Sequence, residues 1–213
     1  MAVDDPAGDL AIRVAGVIPA AGVSRRMGSV KQTLRLGDST ILQTVIDNLT
    51  AAGLDRVIVV TRSTVAAALQ PASDDRVATV INDDPSTEMI DSIRLGVEVA
   101  GRDSVLRRTD GFLVCPGDMP RISTDLVRRC AATYRAHPGQ CVAVVLGGRY
   151  GHPVVVPFAL ADRLGALRGV GLRGLLDDAG DGIVPVPIRD NATQGDVDTP
   201  DDYEQLTNRP PTE

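Results

Sequence analysis

The chain has 213 residues, 22 basic and 28 acidic side chains and a formal net charge of −6, with 43% hydrophobic and 23% charged residues. That size and balance suit one globular α/β domain with a real core and exclude a disordered or fibrous chain. Three Tyr, two Phe and no Trp leave little to stack bases on, and a net negative charge repels polyphosphate backbones, which argues against nucleic acid as a partner.

The first nine residues carry three Asp and no base, the opposite of a secretory leader, and no apolar run approaches the ~20 residues a membrane helix needs. A cytoplasmic protein with no membrane partner is expected, with residues 1–10 as a flexible N-terminus and 11–206 as a single domain. Arg13 to Pro19 reads as a buried strand running into a loop of small and cationic residues, AAGVSRRMGSVK. From Ser39 the apolar positions Ile41, Leu42, Val45, Ile46 and Leu49 recur at helical spacing, with Ser39 or Thr40 as the N-cap. RVIVVT (56–61) is a strand, followed by a short helix near 65–69 and a strand at 77–81. A helix over about 87–100 has Met89, Ile90, Ile93 and Val97 on its apolar face.

Gly111 to Cys115 is the next strand, ending in PGDMP. Ser123 caps a helix with Leu126, Val127, Cys130, Ala131 and Tyr134 on one side, and CVAVVL (141–146) follows as a strand. GGRYGHPVVVP then reads as a turn and a strand, with short helices over 160–167 and 172–178 and a last strand at 183–188. Pro185 and Pro187 lack an N–H and suit an edge position, so this last part is expected to pair antiparallel at the sheet edge. Residues 207–213 read as a flexible tail. Strands alternating with helices predict a three-layer α/β/α fold with a mostly parallel, doubly wound sheet.

The charges are distributed unevenly. Of the 22 bases 21 are Arg and one is Lys, Lys31; of the 28 acids 24 are Asp. A lysine retained against that bias invites a chemical reason. Ligands of open α/β sheets bind beyond the carboxyl ends of the strands, and two segments with the right chemistry lie there. In the loop 20–31, Ala20, Ala21, Gly22 and Gly28 let backbone N–H groups approach an anion, while Arg25, Arg26 and Lys31 neutralise it. The loop is neither a P-loop nor a dinucleotide fingerprint. In PGDMP, Asp118 stands just past a strand, where a carboxylate holds Mg²⁺ or caps a turn. A third segment, GDVDTPDDY (195–203), offers Asp196 and Asp198 as further carboxylates, and is equally a helix start with Pro at its first position. Cys115, Cys130 and Cys141 have no metal-knuckle spacing and read as reduced core residues. His152 before a strand reads as a structural hydrogen bonder, with no Ser/His/Asp set around it.

PAAGVSRRMGSVK (19–31) resembles the signature loop of the nucleotidyltransferases that share the fold of the molybdenum-cofactor guanylyl- and cytidylyltransferases. PGDMP (116–120), RYGHPVVV (149–156), GLRGLLD (171–177) and DVDTPDDY (196–203) are similar, in order and spacing, to segments of the cytidylyltransferase branch. The first forty residues also resemble the methylerythritol-phosphate cytidylyltransferases, whose later segments this chain lacks. The resemblance implies a Rossmann-like nucleotide-diphospho-sugar transferase fold. It implies nucleotide contacts from Ala20, Ala21, Gly22, Ser24, Arg25, Arg26, Lys31, Asn82, Ser92 and Gly117, with Lys31, Arg26 and Asp118 catalytic. Asp118, Asp198 and Asp196 would hold Mg²⁺, and His152 and Arg173 would meet the acceptor. Ala-Ala-Gly at 20–22 implies CTP rather than GTP.

The implied reaction is Mg²⁺-dependent transfer of CMP to the terminal phosphate of a molybdopterin-type acceptor, with release of pyrophosphate and a molybdenum hydroxylase as a further partner. Such chemistry needs positioning and charge neutralisation more than a protein nucleophile. Two departures stand out: Glu88 to Asp91 replace a Gly-Met-Ser-x-Ser segment, and GLRGLLD keeps Arg173 but not the Gly-Asp-x-Gly-Ala-Arg form. Two rival readings follow from the resemblance and these departures, a nicotinamide-dependent oxidoreductase on the same scaffold and a non-catalytic chaperone for molybdenum-cofactor insertion.

Overall fold

The computed structural model describes residues 11–22, 30–70, 74–102, 107, 110–189 and 195–207. In chain order they form β1 (Val14–Ala20), a 3-10 turn (Lys31–Thr33), a small hairpin β2 (Arg35–Leu36) and β3 (Ser39–Thr40), α1 (Ile41–Ala51), β4 (Arg56–Thr61), α2 (Ser63–Ala66), β5 (Val77–Ile81), α3 (Met89–Arg102), β6 (Gly111–Val114) and α4 (Thr124–Ala136). Then come β7 (Val142–Leu146), β8 (Arg149–Pro157), a 3-10 helix (Phe158–Ala166), α5 (Leu172–Ala179), a 3-10 turn (Gly180–Gly182), β9 (Val184–Pro187) and α6 (Pro200–Thr207). Thr207, read from the sequence as the first residue of a tail, closes α6; residues 1–10 and 208–213 lie outside the described residues.

Seven strands form one sheet in the order β5-β4-β1-β6-β8-β7-β9. Both faces are covered, and successive side chains along a strand enter opposite cores. Ile18 and Ala20 of β1, with Leu113 of β6, join the apolar faces of α1 and α4. Val17, Phe112 and Val114 join α3, α5 and the 158–166 helix. This explains why the central strands read as unbroken apolar runs. Thr40 settles the N-cap of α1, its Oγ1 accepting from Gln43 N at 3.2 Å, and Ser123 Oγ accepts from Leu126 N at 3.2 Å at the start of α4.

The antiparallel strand is β8, and it lies inside the sheet, paired antiparallel with both β6 and β7. The sequence reading expected the part after Gly147 to pair antiparallel at the sheet edge; the antiparallel strand does lie in that part, as β8, while the edge position is taken by β9, which runs parallel to β7. Its prolines do occupy the edge. Val184 N donates to Cys141 O and Ile188 N to Val145 O, so the even positions face β7 and the missing N–H groups of Pro185 and Pro187 face outward. The β7–β8 turn is Gly147-Gly148, with φ of 54° and 78°, the backbone a tight hairpin demands. Between the pairs Ala143↔Val154 and Val144↔Gly151 the register shifts, leaving His152 and Pro153 as a bulge, where a residue without an N–H costs no ladder bond.

Met89 corrects the helical reading. It is 52% exposed, while Ile90, Ser92, Ile93, Gly96, Val97 and Ala100 are the buried residues of α3. As the first helical residue Met89 stands beyond the sheet, so periodicity alone misplaces it. Gly96 lets α3 approach the sheet closely. A Cβ there would stand 2.7 Å from Val17 Cγ1 and 3.1 Å from Val60 Cγ2. Gly96→Ala is therefore expected to destabilise, because overpacking of about 1–3 kcal/mol opposes a helix-propensity gain of about 1 kcal/mol, and Gly96→Val to destabilise more. Denaturant unfolding of the two variants checks this order.

Candidate functional site

β1 and β6 are neighbours, and both end at the same side of the sheet. Pairing continues past β6, with Cys115 N donating to Val17 O and Gly117 N to Pro19 O. This carries the PGDMP turn alongside the start of the loop that follows β1. Gly117 is required by packing: a Cβ on it would meet Ala20 Cβ at 2.8 Å and Leu42 Cδ1 at 2.9 Å. The two segments can lie this close because position 117 has no side chain. The next residue, Asp118, then projects into the cleft in front of β1.

A third segment reaches the same place from the far end of the chain. Val197 is buried and its N donates to Asp118 O at 3.0 Å. The Asp202 carboxylate accepts from Asp198 N at 3.1 Å, Thr199 N at 2.8 Å and Thr199 Oγ1 at 2.7 Å, capping α6 as acids in a first helical turn do. Those bonds, Thr199 Oγ1 first, hold the Asp202 carboxyl below its ordinary range. Tyr203 Oη donates to Arg35 O at 2.7 Å, tying α6 to the β2–β3 hairpin. The helix start read at 195–203 is present, capped by Asp202, and it leaves Asp198 to face the cleft.

Lys31 stands between the two carboxylates. Its Nζ is 2.5 Å from Asp118 Oδ2 and 2.7 Å from Asp198 Oδ1, and its side chain is only 12% exposed. Burial works against the ammonium charge, but Asp118 and then Asp198 outweigh it and raise the lysine pKa. Asp196 lines the same cleft. Burial, then the charges of Asp198 and Asp118, push its carboxyl above the ordinary range. Asp118 Oδ1 is buried with no hydrogen-bond partner among the described residues. A carboxyl oxygen so placed calls for a cation or solvent.

The rest of the cleft is lined by Pro19 to Gly22, Gln32, Thr87 to Met89 and Ser92. Asn82 lies behind this wall, its Nδ2 donating to Thr87 Oγ1 and Ser92 Oγ, both at 3.2 Å. The Glu88–Asp91 departure has a structural use. Glu88 Oε2 accepts from Gly169 N at 2.7 Å, Asp91 accepts from Glu88 N at 2.9 Å, and Arg168 reaches Asp91 at 3.1 Å and Ser86 O at 3.3 Å. The loop before α3 is thereby clasped to the turn before α5.

The structure thus brings together Ala20, Ala21, Gly22, Lys31, Ser92, Asp118, Asp196 and Asp198, with Asn82 and Gly117 in support. Ser24, Arg25 and Arg26 lie outside the described residues. Arg173 is not brought to the cleft: it is 86% exposed on α5, 3.8 Å from Asp177. His152 sits in the β8 bulge with Nδ1 3.3 Å from Val114 O, behind the cleft lining. Sequence reasoning missed Gln32 and Thr87 as lining residues, and Arg62, whose Nε donates to Ala21 O at 3.0 Å. The three cysteines are buried and unbridged, as expected; burial raises their thiol pKa, that of Cys130 to about 12.

The cleft thus sets a carboxylate pair, with a lysine between them, beside the end of β1. Residues 16–183 match the MobA-like NTP transferase domain. The chain belongs to that family. Rv0371c from Mycobacterium tuberculosis H37Rv superposes with a TM-score of 0.77 at 26% identity, covering 93% of this chain and 99% of that one. Its manganese complex gives 0.71 at 25% identity, covering 92% and 98%. A nucleotidyl transferase from Methanothermobacter, Mth528, gives 0.73 at 24% identity over 92% and 96%, a likeness of fold. No curated protein matches the chain. No helix among the described residues is long and apolar enough to cross a membrane.

His152 yields a pH prediction. Burial, the main cause, holds its pKa below 6.5, although the Val114 carbonyl and Asp118 pull the other way. The folded protein therefore binds this proton less readily than the unfolded chain, so the stability His152 contributes is present above ~6.5 and lost as the pH falls below it. An NMR titration of the ring is expected to give a midpoint under 6.5, and His152→Asn to flatten that part of the stability–pH curve.

Proposed function

We propose that this member of the MobA-like NTP transferase family transfers CMP from CTP to the terminal phosphate of a molybdopterin-type acceptor, releasing pyrophosphate. The observation that carries the reading is the Asp118–Lys31–Asp198 bridge at the mouth of the loop after β1. Nucleotidyl transfer rests on the family and on this site, CTP on Ala-Ala-Gly at 20–22, and the acceptor on the resemblance of the 149–156 and 196–203 segments.

The residues fit a divalent cation. The donors are carboxylate oxygens, the hard ligands that Mg²⁺ and Mn²⁺ prefer, and Asp118 Oδ1 is a buried oxygen without a partner among the described residues. Among the described residues no three His, Cys, Asp or Glu side chains form a ready cage. A cation that keeps water and substrate phosphates needs only one or two carboxylates. Asp118 and Asp198 would hold it, with Asp196 alongside; when bound it neutralises charge on the α- and β-phosphates. The manganese complex of Rv0371c supports a divalent metal in the family.

The chain's own groups do the rest. Backbone amides at the end of β1 and Lys31 receive the triphosphate, and the acceptor phosphate attacks the α-phosphorus in line. Lys31 follows the negative charge that accumulates on the departing pyrophosphate. As a compact ammonium on a flexible stem it can turn from the carboxylates to a phosphate, which a planar guanidinium does not reproduce.

Lys31→Arg is expected to lose most of the rate at unchanged net charge, and Asp118→Asn to abolish metal-dependent pyrophosphate release without loss of the fold, as circular dichroism would show. A matrix of four nucleotides against molybdenum-cofactor and sugar-phosphate acceptors, read as pyrophosphate, tests the reaction itself. Because Lys31 occupies both carboxylates in the nucleotide-free protein, Lys31→Met is expected to bind Mn²⁺ about tenfold more tightly than wild type. Electron paramagnetic resonance of Mn²⁺ titrated without nucleotide reads this directly.

A further inference from the structure

At the end of β1 two consecutive carbonyls, of the last strand residue and the first loop residue, are held by the end of β4. Ala20 O accepts from Thr61 Oγ1 at 3.3 Å, and Ala21 O accepts from Arg62 Nε at 3.0 Å. Thr61 is fully buried, and β1 and β4 pair in parallel as far as Ala20↔Thr61. Arg62 is itself fixed from beyond β5: its Nη1 reaches Asp83 O at 3.5 Å, and the Asp83 carboxylate accepts from Ser63 N at 2.9 Å. The ends of β1, β4 and β5 are thus joined through one guanidinium.

In a trans peptide the C=O of one residue and the N–H of the next point in opposite directions. With the carbonyls of Ala20 and Ala21 both turned to the end of β4, the N–H groups of Ala21 and Gly22 are turned away from it. Those residues line the cleft that holds Lys31 and Asp118. In a regular strand successive carbonyls alternate sides, so pointing two in a row the same way requires the chain to leave the pleat, and something must hold it there.

We propose that Arg62 is a positioning residue for the anion site: by holding the Ala21 carbonyl it keeps the adjacent N–H groups aimed at the bound triphosphate. The inference rests on the nucleotidyl-transfer reading and adds a residue to it. Fixed backbone donors are effective because they do not reorganise when charge arrives, and losing one such donor costs about 10²–10³ in rate where it has been measured. Arg62 itself need not touch a phosphate.

The test uses Arg62→Met, which keeps the aliphatic stem and removes the donor, and Arg62→Lys, which restores one. Calorimetric titration with Mg·CTP and with cytidine separates phosphate from base. Arg62→Met is expected to weaken Mg·CTP at least tenfold and cytidine less than twofold, with Arg62→Lys recovering part of the loss. Equal losses for the two ligands, or no loss, would overturn the inference. Nitrogen-15 relaxation of the nucleotide-free protein reads the hold itself: the amides of Ala21 and Gly22 are expected to be rigid in wild type and mobile in Arg62→Met. Unchanged amide order parameters overturn the inference even if CTP binds. Wild-type protein that binds no nucleoside triphosphate overturns the functional reading, and with it the triphosphate as ligand of these amides. Should Arg62→Met fail to fold, Thr61→Val removes the neighbouring donor at nearly constant volume and is expected to give the same split.

Discussion

The bridge of Lys31 between Asp118 and Asp198 organises the molecule, because its three members come from the loop after β1, the turn after β6 and the approach to α6. Each member has its own support: Gly117 seats the turn against Ala20, Val197 N holds the backbone of Asp118, and Asp202 fixes the backbone of Asp198. A largely buried ammonium with two carboxylates is held mainly by complementarity. Removing one partner of such a group leaves an uncompensated charge in a poorly solvated place, which is why these contacts are costly to break singly.

The sheet explains why these segments meet. Ligands of open α/β folds gather where parallel strands end, and β1, β4, β5 and β6 end on one side. The interior antiparallel strand β8 contributes differently. Running back between β6 and β7, it places its His152–Pro153 bulge beside the end of β6, so His152 buttresses the Val114 backbone just ahead of the PGDMP turn. The clasp of Glu88 to Gly169 and of Arg168 to Asp91 closes the opposite side, and residues that look like lost ligand contacts serve as wall.

Much of this was legible in the sequence. Strand and helix order followed from apolar runs and periodicity, and the meeting of Lys31, Asp118 and Asp198 in one cleft followed from charges placed after strands. What escaped had physical reasons. Nothing in an apolar run such as VVVP says which way a strand runs, since a strand buried on both faces has the same composition in either direction, so the antiparallel strand was sought at the edge. Met89 fits the 3.6-residue period yet lies beyond the sheet. The contrast of Lys31 and Arg62 is the clearest: one lysine among 21 arginines stands out, whereas one more arginine after a strand carries no signal until its Nε is seen on the Ala21 carbonyl.

Charge balance leads furthest. Within the described cleft a single ammonium faces Asp118, Asp196 and Asp198, with Glu88 also in the lining, and burial, with the charges of Asp198 and Asp118 added to it, raises the pKa of Asp196. A nucleoside triphosphate would add several more negative charges. Among the described residues Lys31 is the cation that faces both the carboxylates and the place proposed for the phosphates, with Arg25 and Arg26 lying outside them. On the proposed reading, a divalent cation carried on the phosphates would add positive charge there and help release Lys31 from the acids. The acidity that argues against a nucleic-acid backbone is thereby compatible with the proposed nucleotide bringing its own metal.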